Sequence, residues 1–203
     1  MAEMNDTFGE VRDPYFWSGS EVLRNRLDIR DAARLQEAEM TFSALRVTTL
    51  GLGPVRRGLP HLCHIHHQLF QDIYSWAGKL REVDIYRGDT RFCHFAYLEK
   101  EGNAVMRGLE EENYLAGLEQ DAFTRRLAHF YCEVNVLHPF RTGNGRAERI
   151  FFEQLAIHAG YSLDWRGLDI ARWREANQLG AMGDLAPLVT IFSKVISAAH
   201  ETE

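Results

Sequence analysis

The chain has 203 residues, of which 45% are hydrophobic and 26% charged, proportions that suit one ordinary globular domain with a substantial core. Its formal net charge of -6 provides no overall basic field for nucleic acid or an anionic membrane surface. The first residues lack the basic start and apolar run of a signal peptide, and no stretch approaches the ~18 apolar residues of a membrane span. Three widely separated cysteines form no CxxC pair, so we expect reduced thiols in a cytoplasmic protein. From the charge and the lack of an apolar span, we expect no direct nucleic-acid or membrane partner.

Two helical stretches are predicted in the first part of the chain. Apolar residues recur at helical spacing from about Ser20 to Leu50, where Asp28 or Asp31 marks a break, and again from His61 to Trp76. The glycine- and proline-rich segment between the two stretches is predicted to be a connection. Four histidines lack the spacing of a metal site and are predicted to line the surface of the second stretch: His61, His64, His66 and His67.

A β-hairpin is predicted next, and it is the only convincing β element in the sequence. Polar and apolar residues alternate from Arg81 to Arg87, a turn follows at Gly88-Asp89, and a second short run extends from Thr90 to Phe95. The two runs predict a hairpin at about residues 83–95.

The remainder of the chain predicts further helices. Helical spacing and punctuation residues place them at about 98–118 as one or two helices, at 123–137, from near Gly145 to Gly160, at 172–178 and at 186–199. Pro139 disfavours helical geometry at His138 and therefore ends the second of these helices. We expect an all-α (mainly α) helical bundle with one hairpin, forming a single domain over 1–203 with its core at about 13–196.

The connection that follows His138 has the features of an anion site. Gly143-Asn144-Gly145 tolerate left-handed backbone angles, and the helix that starts there contributes unpaired N–H groups and a partial positive charge. Arg146 and Arg149 lie in the first turns of that helix, where the dipole disfavours cations, and a bound polyphosphate would explain them. His138 then lies at the mouth of a phosphate site, and its ordinary pKa suits a general base. The alternative is a plain helical corner with surface histidine and arginine side chains.

At these residues the sequence resembles the Fic family. The family motif HPFx(D/E)GNGRxxR is matched by H-P-F-R-T-G-N-G-R-A-E-R at 138–149, with Thr142 as the one departure. Further similarity covers nearly the whole chain, from about Asp13 to Ile196, and it is greatest to short single-domain bacterial Fic proteins of the cell-filamentation type. It is carried by Glu133-Val134-Asn135, Trp76-Ala77-Gly78, Leu80-Arg81, Thr90-Arg91-Phe92 and the segment from Leu23 to Leu27.

The resemblance implies a protein adenylyltransferase that moves AMP from ATP to a Tyr, Thr or Ser hydroxyl of another protein. It implies that His138 is the base and that Asn144, with the N–H groups of Gly143 and Gly145, holds α- and β-phosphate oxygens. Arg146 and Arg149 would bind the β- and γ-phosphates, and Phe140 would anchor the loop in the core. The hairpin would be the family's flap, which docks a target segment by strand pairing. Its docking residues would be Val83, Ile85, Thr90, Arg91 and Phe92.

Thr142 stands where the family has an acidic residue that holds Mg²⁺. A hydroxyl can ligate Mg²⁺ but brings no charge, so metal affinity and rate are expected to fall. Alternatively, Thr142 caps the following turn and the chain is a degenerate, non-catalytic scaffold that binds nucleotide or a partner. A third possibility is a related transfer, of UMP, phosphate or phosphocholine.

Regulation and partners are implied only by the resemblance. Fic proteins are commonly inhibited by a helix with the pattern (S/T)xxxE(G/N), whose Glu pairs with the second motif arginine, here Arg149. Ser197 to Glu201 matches in part, but Thr202 departs from the pattern, so a separate antitoxin carrying the helix is expected. The implied targets are the ATPase subunits of DNA gyrase and topoisomerase IV, and the adenine pocket is expected around Asn177 to Asp184.

Overall fold

The computed structural model describes residues 13–88 and 90–198. Its helices are α1 (Ala32–Val47), α2 (Leu59–Phe70), α3 (Leu98–Glu111), α4 (Gln120–Leu137), α5 (Asn144–His158), α6 (Ile170–Ala181) and α7 (Ala186–Val195), with 3₁₀ turns at Phe95–Tyr97 and Asn113–Leu115. Its strands are β1 (Tyr86–Arg87), β2 (Thr90–Arg91), β3 (Tyr161–Leu163) and β4 (Ile196–Ala198). The prediction of a mainly α bundle is confirmed.

The centre of the bundle is built around α4 and α5, which the motif connects. α5 packs against α2 and α4, while the other side of α4 is covered by α3, α6 and α7. Tyr131 of α4 is buried among aromatic side chains, with ring centroids 5.1 Å from Phe152, 5.2 Å from Trp173 and 5.3 Å from Phe192. Buried aromatic groups supply much of the apolar area that stabilises such a core, and this packing fixes both helices that flank the motif.

The first predicted helix begins later than its apolar spacing suggested. Residues 20–31 are not helical, because polar side chains bond the backbone there and hold it in turns. The Asn25 amide bonds the backbone of Leu23 and Ile29, and Asp28 has a φ of +52°. Asp31 then caps α1 by accepting a hydrogen bond from the Arg34 N–H at 2.8 Å.

The hairpin is not the only β element, so that prediction was wrong. The last predicted helix ends at Val195, and the chain continues as β4, which pairs antiparallel with β3 in the register Ser162↔Ser197. Ser197 therefore lies in a strand and does not start an inhibitory helix, while residues 199–203 lie outside the described part of the chain. β3 follows the C-terminal end of α5, and the length of that helix separates it from the motif by roughly 20 Å.

Two other elements are shorter than predicted. The second helix ends at Phe70, and turns carry the chain to Trp76. The paired part of the hairpin comprises only Tyr86↔Arg91 and Arg87↔Thr90. No helix in the described ranges is long and apolar enough to cross a membrane, and all three cysteines are free.

Candidate active site

The motif loop lies between the end of α4 and the start of α5, and both ends have left-handed backbone. His138 has φ +46° and ψ 62°, and its N–H still donates to the Val134 carbonyl at 3.1 Å. Gly143 is the N-cap of α5 with φ +79°, and no side chain caps this helix. The alternative reading of Thr142 as a cap is therefore wrong. The uncapped N-terminus leaves backbone N–H groups at the start of α5 without a side-chain partner in the described structure, and anion binding there stays a prediction.

Asn144 closes the loop on itself. Its Oδ1 accepts a hydrogen bond from the Phe140 N–H at 2.8 Å, and its Nδ2 donates to the Phe140 carbonyl at 2.7 Å. The Phe140 side chain is fully buried, as predicted. Most of the Asn144 amide is thus used in shaping the loop, which leaves one Nδ2 hydrogen for a ligand.

His66 holds the motif loop through a hydrogen bond and a ring contact. It is fully buried, so the prediction that it lies on the helix surface was wrong. Its Nδ1 accepts from the Gly78 N–H at 2.8 Å, so its Nε2 carries the proton and donates to the Thr142 carbonyl at 2.9 Å. The ring stacks on Phe140 at 3.9 Å between centroids. Burial lowers the pKa of His66 to about 3, which keeps the ring neutral. Helical spacing could have indicated this burial, because it places His66 beside Ile65 on the apolar face of α2.

His138 is held in the geometry of a base. Its Nδ1 lies 3.3 Å from the Asn135 carbonyl, an arrangement that places the proton on Nδ1 and leaves the Nε2 lone pair available. Phe92 of the hairpin stacks on one face of the ring, with centroids 4.0 Å apart and planes at 16°. Burial, together with the nearby Arg87 charge, lowers the pKa of His138 to about 3. The imidazole is therefore neutral near neutral pH, with its one proton on Nδ1.

Arg81 connects the hairpin to the motif loop, a contact that no local pattern in the sequence predicts. Its guanidinium is 2% exposed and donates to the carbonyls of His138 at 2.8 Å, Val83 at 2.6 Å and Cys93. A fourth hydrogen bond, from Nη2, reaches the Leu137 carbonyl at the end of α4 at 3.3 Å. One buried side chain thus fixes the base of the hairpin relative to the backbone of the predicted catalytic histidine.

The other predicted flap residues form the outer part of the hairpin. The Ile85 carbonyl accepts from the Phe92 N–H at 3.2 Å, and Arg91 is exposed and pairs with Asp84 at 3.0 Å. Thr90 pairs with Arg87 in the register of the strands. Tyr86, Arg87 and Arg91 of the hairpin are exposed, while Phe92 stacks on the His138 ring.

The two motif arginines have different environments. The Arg146 guanidinium forms an ion pair with Glu39 of α1 at 2.6 Å, and its Nη1 donates to the Ser43 hydroxyl at 2.9 Å. Among the described residues, the one hydrogen bond of the Arg149 guanidinium runs from Nε to the Gly145 carbonyl at 3.2 Å. Arg146 is therefore already bound to α1, whereas Arg149 has more of its donors available.

A cavity of about 920 Å³ brings most of the predicted site together. The predicted residues that line it are Ile85, Phe92, His138, Thr142, Gly143, Asn144, Gly145, Arg146 and Arg149. Val83, Thr90 and Arg91 are not among the described lining residues. The far wall comes from α6 through Arg174, Asn177, Gln178 and Ala181, which overlap the segment expected to form the adenine pocket.

The described residues do not fit a protein-held Mg²⁺. No aspartate or glutamate is found among the described lining residues, and no group of three His, Cys, Asp or Glu side chains in 13–88 and 90–198 could hold a metal. The Thr142 carbonyl is already bonded to His66, so the threonine offers its hydroxyl alone. Mg²⁺ in nucleotide sites is usually held through one or two carboxylates together with phosphates.

These features define a class of protein: a helical bundle in which an uncapped helix N-terminus, a buried histidine and a covering hairpin meet at one cavity. The chain belongs to the Fic/DOC family, whose model matches residues 58–156. It is 64% identical over 200 residues to the "Probable protein adenylyltransferase Fic" of Salmonella typhimurium and, to the same extent, to that of Escherichia coli. Each alignment covers 98% of this chain and 100% of the relative.

The same fold is found in a solved structure. The BepC protein of Bartonella tribocorum, a VirB-translocated effector crystallised with bound AMPPNP, superimposes with a TM-score of 0.85. The alignment covers 92% of this chain and 97% of the other, at 24% sequence identity. At this identity the likeness establishes the arrangement of helices and hairpin.

Proposed function

We propose that this chain is a protein adenylyltransferase that transfers AMP from ATP to a Tyr, Thr or Ser hydroxyl of a target protein. The observation that carries the proposal is geometric. The unprotonated Nε2 side of His138 and the uncapped N-terminus of α5 belong to one cavity, beside a hairpin whose outer residues are exposed. The names of the 64% identical relatives support the same activity.

In the transfer step, His138 accepts the proton of the target hydroxyl at Nε2. The hydroxyl oxygen forms a bond to the α-phosphorus of ATP, and the bond from that phosphorus to the α,β-bridging oxygen breaks, so that pyrophosphate leaves. Charge that develops on the phosphate oxygens is met by the N–H groups of Gly143 and Gly145 and by Arg149. The two backbone N–H groups are fixed by the loop before ATP arrives, which avoids the cost of reorganising them during reaction.

The adenine base is proposed to bind against α6. Asn177 lines the cavity, its Nδ2 donates to the Trp173 carbonyl at 2.7 Å, and its Oδ1 is buried without a partner in the described structure. A buried acceptor without a donor is costly, and the exocyclic amino group of adenine would satisfy it.

The target segment is proposed to pair with the hairpin edge, as the family resemblance implies. The docking residues are Val83, Ile85, Thr90, Arg91 and Phe92 of the hairpin. On the same basis, the target proteins are proposed to be the ATPase subunits of DNA gyrase and topoisomerase IV, and the chain is proposed to be the toxin of a toxin–antitoxin pair.

A second groove supports the antitoxin proposal. It has a volume of about 400 Å³ and lies between α1 and α5, where Met40, Val47 and Ile150 provide apolar lining. Met40 is 61% exposed, and Arg149 lines both this groove and the larger cavity. A partner helix with apolar residues and one glutamate would fit this groove and place the glutamate on Arg149, where it would block the phosphates.

Incubation of the purified chain with α-labelled ATP and bacterial lysate, followed by mass spectrometry, tests the activity. We expect an added AMP mass on a target, and no label with His138→Ala although ATP binding persists. His64→Ala, on the exposed side of α2, is the matched control and should label normally. ATP binding without any adduct would favour the non-catalytic scaffold, and an adduct of another mass would favour a related transfer.

The same assay with purified gyrase and topoisomerase IV ATPase subunits tests the targets. Absence of label on both, with label on other proteins, would exclude them. Expression of the wild-type chain should slow bacterial growth, whereas His138→Ala should not. Equal growth of both strains would contradict the toxin role.

A further inference from the structure

The cavity is lined by an unusual excess of cations. Five arginines line it, namely Arg87, Arg141, Arg146, Arg149 and Arg174, and none of the other described lining residues is acidic. Two of the five have carboxylate partners outside the cavity lining, since Arg141 pairs with Asp13 at 2.9 Å and Arg146 with Glu39 at 2.6 Å. The other three form no ion pair within residues 13–88 and 90–198.

The three unpaired arginines come from different parts of the fold. Arg87 belongs to the hairpin and lies over the Phe92 ring at 5.7 Å, Arg149 belongs to α5, and Arg174 belongs to α6. Three like charges around one cavity repel each other, although Arg149 also interacts with Glu148 and Glu153 of its own helix. A ligand with several negative charges would relieve this repulsion.

The position of the Arg87 charge is supported by its effect on His138. Burial is the largest cause of the lowered His138 pKa, and the Arg87 charge is the second. The Arg87 guanidinium therefore lies close enough to His138 to act on the same part of the cavity. A cation at this place is available to the phosphates of a bound nucleotide.

We propose that this chain neutralises the phosphates of its nucleotide with Arg87, Arg149 and Arg174 and does not depend on Mg²⁺ to bind it. The inference rests on the adenylyltransferase proposal and concerns how the same site holds its substrate. A guanidinium binds phosphate oxygens directly and stays charged at all relevant pH values. The loss of the acidic residue at position 142 is then compensated by charges that come from the hairpin and α6.

Calorimetric titration of the full chain with ATP tests the inference, once with excess EDTA and once with Mg²⁺ at matched ionic strength. We expect dissociation constants that agree within about twofold. Arg87→Ala and Arg174→Ala should each weaken ATP binding by about tenfold, since a charge-assisted hydrogen bond contributes roughly 1.5 kcal/mol. Arg172→Ala is the matched control, because this α6 arginine is 77% exposed and pairs with Asp169. It should bind ATP like the wild type.

Thr142→Glu provides the converse test. The added carboxylate should weaken ATP binding in EDTA by repulsion, and Mg²⁺ should restore it, so this variant becomes metal-dependent where the wild type is not. Binding of ATP to the wild type only in the presence of Mg²⁺ would overturn the inference and leave the adenylyltransferase proposal intact. Wild-type affinity in both arginine variants would also overturn it. Failure to bind ATP in either buffer would overturn both proposals.

Discussion

Gly143 and Gly145 flank Asn144 at the start of α5, and the structure predicts opposite consequences when each is replaced by alanine. Gly143 has a φ of +79°, and a Cβ at this position would lie 2.4 Å from Cε2 of the Phe70 ring. A Cβ at Gly145 would meet nothing within 4 Å. The protein itself therefore requires glycine at the first position only. At the second, the open space is where a phosphate would approach the helix N-terminus.

The expected size of the first effect follows from two costs. A residue with a Cβ loses roughly 1–2 kcal/mol in a left-handed conformation, and displacing the fully buried Phe70 ring costs about 1–3 kcal/mol. Gly143→Ala should therefore reduce the free energy of unfolding by about 2–5 kcal/mol, or lower Tm by roughly 4–20 °C for a chain of this size. Gly145→Ala lies in a helix, where alanine is favoured over glycine by about 0.5–1 kcal/mol, so stability should stay equal or rise.

Urea unfolding followed by circular dichroism measures the stabilities, and calorimetric titration measures ATP binding. Gly145→Ala should lose nucleotide affinity although its fold is intact, because the new methyl group occupies the space of the phosphate. A Gly143→Ala protein as stable as the wild type would refute the steric argument. A Gly145→Ala protein with unchanged ATP affinity would show that the phosphates do not approach these N–H groups.

Two further predictions concern charged groups. Because burial and Arg87 lower the pKa of His138, its basic form should persist well below pH 6.5, and the acid limb of kcat/KM should lie below that of an ordinary histidine. Arg87→Ala should move this limb to higher pH, and an identical limb near 6.5 in both proteins would contradict the assignment. Glu39→Ala leaves Arg146 without its counter-ion and Tyr74 without its acceptor, so urea unfolding should show a loss of about 2–3 kcal/mol. Glu39→Gln, which keeps a hydrogen-bonding oxygen, should lose less, and equal losses would argue against an ionic contribution.

The site residues that could be predicted from the sequence are those whose conformation depends on their neighbours in the chain. His138, the glycines and the arginines lie within twelve consecutive residues, and the turn and helix start follow from their backbone preferences. The bundle was predictable for the same reason, because helical periodicity is read within one segment. The helix predicted over residues 20–31 was wrong because side chains such as Asn25 bond the backbone there and override the apolar spacing.

The supporting contacts could not be predicted because each joins distant parts of the chain. Glu39 reaches Arg146 from α1, Asp13 reaches Arg141 from the segment before it, and His66 reaches the Thr142 carbonyl from α2. No short pattern records such pairs, since the fold alone brings them together. The β3–β4 pair is of this kind too, because a three-residue strand far from its partner gives no periodic signal.

Arg81 shows why such distant supports are kept in the fold. Burial of a guanidinium costs several kcal/mol, and its hydrogen-bond acceptors are mainly backbone carbonyls, with the Asp84 carboxylate no closer than 3.9 Å. An apolar side chain would fill the same space at lower cost, but it could not bond the carbonyl of His138. That residue has a left-handed backbone, which is unfavourable without such restraint. Arg81 therefore costs stability but fixes the His138 backbone relative to the hairpin, and a base that is fixed beforehand is what the proposed transfer to a docked hydroxyl would require.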